Sequence, residues 1–242
     1  MTVTRREFNL AVAKYWQLKQ EQSERAKNQD RTSPGTTSST RAGNYFTGVA
    51  ELIGKFFLDV GYPRASVQFR QDHGLEVLGY YRPQKQWDVM VTSGNTLVAA
   101  FDLKALSGPS FGRNYNSRFH EALGNAIDVN RAHLEELYPG EKPWIGYFFI
   151  MEEHKNPRPT GRPGKGPELP LVPSLKRTSY QDSYAIFCNR LLDERVYDTV
   201  CYVTSAQEND APKEPVESLN WARFAASVNS RISYLKELGH PG

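Results

Sequence analysis

The chain has 242 residues, a formal net charge of +3, and an ordinary balance of 39% hydrophobic and 24% charged residues. That length suits one fair-sized domain, and the mildly basic charge permits DNA binding without demonstrating it. No segment reaches the length of a transmembrane helix and the N-terminus lacks the apolar core of a signal peptide, so we expect a cytoplasmic protein.

Hydrophobic periodicity predicts alternating helices and strands within a single domain spanning residues 1–242. The predicted helices cover 5–27, 45–60, 116–137, 180–195 and 219–237, and the predicted strands cover 75–79, 86–92, 96–104, 144–151 and 199–204. A Ser/Thr/Gly-rich segment at 28–43 is expected to be a mobile polar linker, and a basic Pro/Gly-rich segment at 155–177 is expected to be a loop. This order of elements indicates an α/β fold with helices on both faces of a sheet.

Both cysteines are predicted to be buried, reduced thiols. Cys188 lies in an apolar helix face and Cys201 in an apolar strand. Because the chain has no Cys-x-x-Cys motif and its histidines are scattered, a zinc site is not expected.

The most informative feature is a pair of acidic residues on two neighbouring strands. Asp88 lies near the start of the first predicted strand, and Asp102 lies near the end of the second, two residues before Lys104. Because side chains alternate along a strand, we expect Asp102 and Lys104 on one face and Leu103 on the other. Two converging carboxylates can hold a hard divalent cation, and a nearby ammonium can orient a water. These are the groups needed for metal-assisted phosphodiester hydrolysis.

The acidic residue two positions before a lysine is not specific by itself, since the chain has a second such triplet beginning at Glu153. The triplet at Asp102 differs because it ends an apolar strand and has Asp88 upstream, whereas Glu153 leads into the Pro-rich segment. The alternative interpretation of Asp102 and Lys104 is a salt bridge at a strand end.

A longer series of segments resembles the XhoI/PaeR7I family of type II restriction endonucleases. The segments keep their order along the chain and include a specific Gly-Pro-Ser-Phe-Gly block; they lie at 78–88, 97–104, 108–118, 121–126, 143–148 and 194–198. The resemblance implies a PD-(D/E)xK restriction-endonuclease-like core, a mixed β-sheet flanked by helices. In one departure, Asp102 stands where we expect Glu in relatives, which keeps the carboxylate but shortens the side chain by one methylene.

The resemblance also implies roles for residues at the acidic cluster. Mg²⁺ would be held by Asp88, Asp102 and the backbone carbonyl of Leu103. Lys104 would position the attacking water and stabilise the negative charge that develops on the phosphate.

Two further carboxylates are weaker candidates for this site. In many nucleases of this class a helix that precedes the sheet contributes a catalytic carboxylate, and Glu51 lies outside the apolar face of such a helix. The alternative interpretation of Glu51 is an exposed ion pair with Lys55 on the same helix. Glu121 shares the polar face of the next helix with Asn125 and Asp128, and it could reach the site or belong to a solvated face.

Three segments are candidates for contact with DNA. The first runs from Ser107 to Arg118 and is predicted to be a loop whose side chains suit phosphates and base edges, although Asn116 could instead cap the following helix. The second and third are the basic loop and the polar linker, each of which could equally be a solvated insertion. The candidate residues are Arg113, Asn114, Asn116 and Arg118, with Arg41, Lys155, Arg158, Arg162 and Lys165 as further candidates.

The resemblance implies a Mg²⁺-dependent type II restriction endonuclease that cuts double-stranded DNA at a short palindrome similar to CTCGAG, leaving 5′ overhangs and 5′-phosphates. A two-fold symmetric site favours a homodimer, and a cognate DNA methyltransferase is expected to protect the host. Two alternatives remain: a structure-selective or repair nuclease of the PD-(D/E)xK superfamily, and a DNA-binding module whose nuclease site has decayed.

Overall fold

The structure is a computed structural model that describes residues 3–28, 43–69, 76–107, 111–153, 178–207 and 211–240. The helices are α1 (Arg5–Asn28), α2 (Thr47–Leu58), α3 (Phe111–Leu134), α4 (Tyr180–Asp193) and α5 (Trp221–Glu237). The strands are β1 (Val67–Phe69), β2 (Glu76–Leu78), β3 (Gln84–Gln86), β4 (Val89–Ser93), β5 (Thr96–Leu106), β6 (Trp144–Glu152) and β7 (Thr199–Ser205). Most predicted elements are therefore confirmed within two or three residues.

Five strands form one mixed sheet in the order β1-β4-β5-β6-β7. The pairs β1–β4 and β4–β5 are antiparallel, and a tight turn joins β4 to β5 at Gly94, whose positive φ of 56° suits a residue without a side chain. The pairs β5–β6 and β6–β7 are parallel. Strands β2 and β3 form a separate antiparallel hairpin beside this sheet.

The sheet separates two hydrophobic cores. Helices α1, α2 and α5 cover one face together with strand residues such as Phe101 and Leu103. Helices α3 and α4 cover the other face together with residues such as Ala100 and Leu106. The fold is the mixed sheet flanked by helices that the sequence predicts. Among the described helices, none combines the length and the apolar character needed to cross a membrane.

The start of α3 corrects one prediction. The helix begins at Phe111 rather than at Asn116, so the residues up to Arg118 occupy its first two turns instead of a loop, and Asn116 is an exposed helical residue rather than a cap. The reason is packing: Tyr115 and Phe119 continue the apolar face of the helix against α4, where the Tyr184 hydroxyl donates to the Tyr115 carbonyl at 2.8 Å.

Both thiols lie where the sequence predicts them. Cys188 and Cys201 are free and buried, one in each core. The basic loop at 155–177 lies outside the described residues, as does the polar linker at 28–43 apart from its two end residues.

Candidate active site

The pairing of β4 with β5 places the two acidic residues opposite each other. Asp88 directly precedes β4, and its N–H donates to the carbonyl of Phe101 at 3.1 Å. In β5, Leu103 belongs to the core beneath α1, α2 and α5. Since side chains alternate along a strand, Asp102 and Lys104 project from the opposite face, beneath α3. The predicted division of these three residues between the two faces is confirmed.

Asp88, Asp102 and Lys104 form one compact, buried cluster. The Lys104 ammonium donates to Asp102 Oδ1 and lies 3.5 Å from Asp88 Oδ2. Asp88 Oδ2 also accepts the Leu103 N–H at 2.8 Å, which ties the first carboxylate to the strand of the second. The exposed fractions are 4% for Asp88, 1% for Asp102 and 9% for Lys104. These groups are therefore an internal charge cluster rather than a salt bridge at the surface.

The charges of this cluster stabilise one another against the cost of burial. Burial by itself raises the pKa of Asp102, but the positive charges of Lys104 and Lys85 and the hydrogen bonds from Lys104 and Asn125 outweigh it, so that its pKa lies below the ordinary value. Burial likewise lowers the pKa of Lys104, and the two carboxylates outweigh it and hold this pKa above the ordinary value. Asp102 and Lys104 are thus both charged at neutral pH.

A buried amide from α3 completes the surroundings of Asp102. Asn125, which is 1% exposed, donates from Nδ2 to Asp102 Oδ2 at 2.8 Å. Its Oδ1 accepts from Arg82 Nη2 at 2.8 Å and from Lys85 Nζ at 2.5 Å. Because the two cations only donate and an ionised carboxylate only accepts, the partners fix the orientation of the amide.

A second α3 side chain holds the β2–β3 hairpin that carries these two cations. Asp128 Oδ1 accepts the N–H groups of Tyr80 and Tyr81, both at 2.8 Å, and Asp128 Oδ2 accepts from Arg82 Nε at 2.7 Å. A Cβ at Gly79 would lie 2.4 Å from Asp128 Oδ2, so the close approach of the hairpin to α3 requires a residue without a side chain there.

A comparison with known proteins assigns the chain to a family. The model of the restriction endonuclease XhoI family matches residues 21–214, which include every residue of the cluster. The chain belongs to the XhoI restriction endonuclease family. Members of this family are type II restriction enzymes, which are site-specific deoxyribonucleases.

Individual relatives cover most of the chain. The type II restriction enzyme XhoI of Xanthomonas vasicola is 33% identical over 184 residues, which are 76% of this chain and 73% of that protein. The type II restriction enzyme BstVI of Geobacillus stearothermophilus is 30% identical over 210 residues, which are 82% of this chain and 92% of that protein. AbrI of Azospirillum brasilense is 30% identical over 145 residues, which are 59% of this chain and 64% of that protein. No solved structure matches this chain.

The donor set of this XhoI-family chain fits a hard divalent cation. Among the residues that the structure describes, no group of three or more His, Cys, Asp or Glu side chains could hold a metal ion. Two carboxylates with a backbone carbonyl are nevertheless a suitable set for Mg²⁺, which uses one or two carboxylates and keeps several waters. The Leu103 carbonyl lies 3.4 Å from the Lys104 ammonium, so all three predicted oxygen ligands are beside the same cation.

The two weaker carboxylate candidates have ion-pair partners other than Lys104. Glu51 is an exposed residue of α2, and its carboxylate pairs with Lys14 of α1 at 3.2 Å. The structure therefore does not bring Glu51 into contact with Asp88, Asp102 or Lys104. Glu121 pairs with Arg118 at 2.6 Å, on the same helix as Asn125.

The candidate DNA-contacting residues are only partly described. Asn116 is exposed on the first turns of α3, Asn114 is half-buried, and Arg118 donates from Nε to the Ala105 carbonyl at 3.3 Å as well as pairing with Glu121. For Arg113 the helical backbone is described but the side chain is not. The remaining candidates lie outside the described residues: Arg41, Lys155, Arg158, Arg162 and Lys165.

Sequence reasoning missed Lys85 and Arg82, and it did not assign Asn125 to Asp102. All three lie within the segments that resemble the family, at 78–88 and 121–126, and this was the available signal. Nothing in their spacing to Asp102 indicates contact, because the contact depends on how the hairpin packs against α3.

Proposed function

We propose that this protein is a type II restriction endonuclease that hydrolyses both strands of duplex DNA at a short palindromic site and requires Mg²⁺. The observation that supports this proposal is the convergence of Asp88, Asp102 and Lys104 in one buried cluster. Membership of the XhoI family supports the same reaction class.

Asp88, Asp102 and the Leu103 carbonyl would hold the Mg²⁺ ion. When bound, the ion would supply Lewis-acid stabilisation of the phosphate and would lower the pKa of a water molecule. The burial of both carboxylates favours this role, because water is largely excluded and electrostatic interactions are stronger there than in bulk solvent.

The side chains of this chain would orient the reacting groups. The Lys104 ammonium would hold the attacking water and offset the negative charge that develops on the non-bridging oxygens. Asn125 would keep Asp102 in one orientation through its bond to Oδ2. The water oxygen would form a bond to phosphorus, the bond to the 3′ oxygen would break, and that oxygen would leave with a proton, which gives 5′-phosphate and 3′-hydroxyl ends.

The resemblance to the family further supports a recognition site similar to CTCGAG, cut to leave 5′ overhangs. A palindrome is read most economically by a two-fold symmetric homodimer in which each protomer cuts one strand. A cognate methyltransferase would protect the host DNA, and both enzymes would act in the cytoplasm of a bacterium or archaeon.

Digestion of a long phage DNA of known sequence, with and without Mg²⁺, tests this proposal. Discrete Mg²⁺-dependent fragments that map to one palindrome are the expected result, and they also identify the site. A smear of fragments of all lengths would contradict the proposal and indicate a nonspecific or structure-selective nuclease. Failure to cut DNA of any sequence would favour a decayed binding module. A Lys104→Ala protein, which should bind DNA without cutting it, excludes a contaminating nuclease.

A further inference from the structure

Among the described residues, four cationic side chains lie around the two acidic residues, and three of these cations have a carboxylate of their own. Lys104 pairs with Asp102 and Asp88, Arg82 pairs with Asp128, and Arg118 pairs with Glu121. The fourth cation is Lys85 of β3, and among the described residues it forms no ion pair. Its hydrogen-bond partner is the neutral amide oxygen of Asn125, at 2.5 Å.

The position of Lys85 is electrostatically unfavourable in the protein alone. Its side chain is half-buried, and burial lowers its pKa, as do the neighbouring charges of Lys104 and Arg82; Asp102 and Glu121 only partly oppose this. A partly desolvated ammonium without a direct counter-ion costs free energy. An anion from outside the protein would remove that cost.

The Asn125 amide connects Lys85 to the catalytic cluster. One amide oxygen accepts from the Lys85 ammonium, and the nitrogen of the same amide donates to Asp102 Oδ2 at 2.8 Å. Lys85 therefore lies one amide group away from a carboxylate that would face the scissile phosphate. The hairpin that carries Lys85 is fixed to α3 by Asp128, so this position does not depend on a freely moving loop.

We propose that Lys85 contacts a phosphate of the cleaved strand, at or immediately beside the scissile bond, and that Asn125 holds it in place for this contact. This inference rests on the proposed endonuclease function. Lys104 and Lys85 then have separate tasks, since Lys104 serves the attacking water and Lys85 neutralises the DNA. The charge balance of the described residues supports this division. The four cations cancel the charges of Asp88, Asp102, Asp128 and Glu121, so a bound divalent cation would leave a positive excess that phosphates can balance.

A purely structural role for Lys85 predicts different behaviour from a phosphate contact. If Lys85 only holds Asn125 in its orientation, the Lys85→Gln protein should bind DNA as tightly as wild type, because the glutamine amide can still donate to Asn125 Oδ1. If Lys85 contacts a phosphate, the loss of charge should weaken DNA binding. The test variants are therefore Lys85→Gln, which removes the charge, and Lys85→Arg, which keeps it. Lys236→Gln is the matched control, since Lys236 is an exposed lysine of α5 on the opposite face of the sheet.

The first measurement is the salt dependence of binding to duplex DNA without a divalent cation. We expect Lys85→Gln to lower the slope of log affinity against log salt by about one and to weaken binding about tenfold, as for the loss of one phosphate contact. Lys85→Arg should keep the wild-type slope. Equal slopes and equal affinities for Lys85→Gln, Lys236→Gln and wild type would overturn the inference.

The second measurement locates the phosphate. A series of duplexes is used, each with one phosphate replaced by an uncharged methylphosphonate at a different position. At one position the replacement should weaken the binding of wild type and of Lys236→Gln. The same replacement should cause no further loss of affinity in Lys85→Gln. Losses in Lys85→Gln that match wild type at every position would overturn the inference. Neither measurement requires cleavage. A wild-type protein that binds DNA but never cuts it therefore contradicts the proposed function. If wild type cuts DNA and Lys85→Gln binds DNA as wild type does, only the proposed Lys85 contact is contradicted. Melting temperatures of all variants check that they are folded.

Discussion

Replacing Lys104 with Met would leave two buried carboxylates without the cation that lies between them. Methionine has a similar length and no charge, so the change removes the ammonium and keeps most of the volume. The ammonium bonds to Asp102 and lies 3.5 Å from Asp88 Oδ2. Removal of one partner from a buried ionic cluster costs about 3–5 kcal/mol of unfolding free energy, and we expect a loss in this range at pH 8.

The pH dependence of stability should change sign in this variant. In wild type the pKa of Asp102 lies below its ordinary value of 3.8, so its charge contributes stability that is present above about pH 4 and is lost as the pH falls through the lower, folded value. Without Lys104, the effect of burial dominates and the pKa of Asp102 rises. The folded state then binds more protons than the unfolded state, and stability falls as the pH rises through the raised pKa.

Chemical denaturation between pH 4.5 and pH 8, with and without Mg²⁺, measures these effects. Lys104→Met should gain stability towards acid pH and should also gain more from Mg²⁺ than wild type does. A suitable control is Lys14→Met, because Lys14 and Glu51 form an exposed pair that is worth at most about 1 kcal/mol. If both variants lose the same free energy of unfolding and the loss does not depend on pH, the reasoning that Lys104 stabilises two buried carboxylates is refuted.

Three further predictions follow from described contacts. Asp128→Ala should lower stability by about 3 kcal/mol and slow cleavage, because it releases the hairpin that carries Lys85; an unchanged melting temperature would contradict this. Glu51→Gln should change the single-turnover cleavage rate less than about twofold, since an exposed pair contributes little, and a large loss would instead support its role as an additional catalytic carboxylate. Cys188 and Cys201 should react with a thiol reagent only after unfolding, because burial raises the pKa of both thiols. Rapid labelling of the native protein would show that one core opens.

The strands that position the site were predictable because their patterns are strong. The run that forms β5 is apolar and bounded by a turn, and the period of two places Asp102 and Lys104 on one face without any knowledge of the fold. Strand β6 is apolar throughout, which indicates a central strand, and it pairs on both sides.

The surroundings of the site could not be predicted in the same way. Strand β3 has three residues, all of them polar, so neither length nor periodicity identifies it. The contacts of Lys85 and Asn125 join residues 40 positions apart in the chain, and they depend on how the hairpin packs against α3. The start of α3 was placed too late because the polar residues among 113–118 conceal the apolar spacing of Tyr115 and Phe119.

Helix α3 has a mechanical consequence for fidelity. It is a single 24-residue helix, and Asn116 on its second turn lies nine residues, about 14 Å along the axis, before Asn125, which bonds to Asp102. Such a helix moves as a stiff rod, so a tilt at its first turns would also displace Asn125. If those turns touch DNA, an incorrect sequence that seats them differently would misalign the catalytic carboxylate even while it stays bound. Discrimination would then arise at the cutting step, and a wrong sequence would be held but left intact.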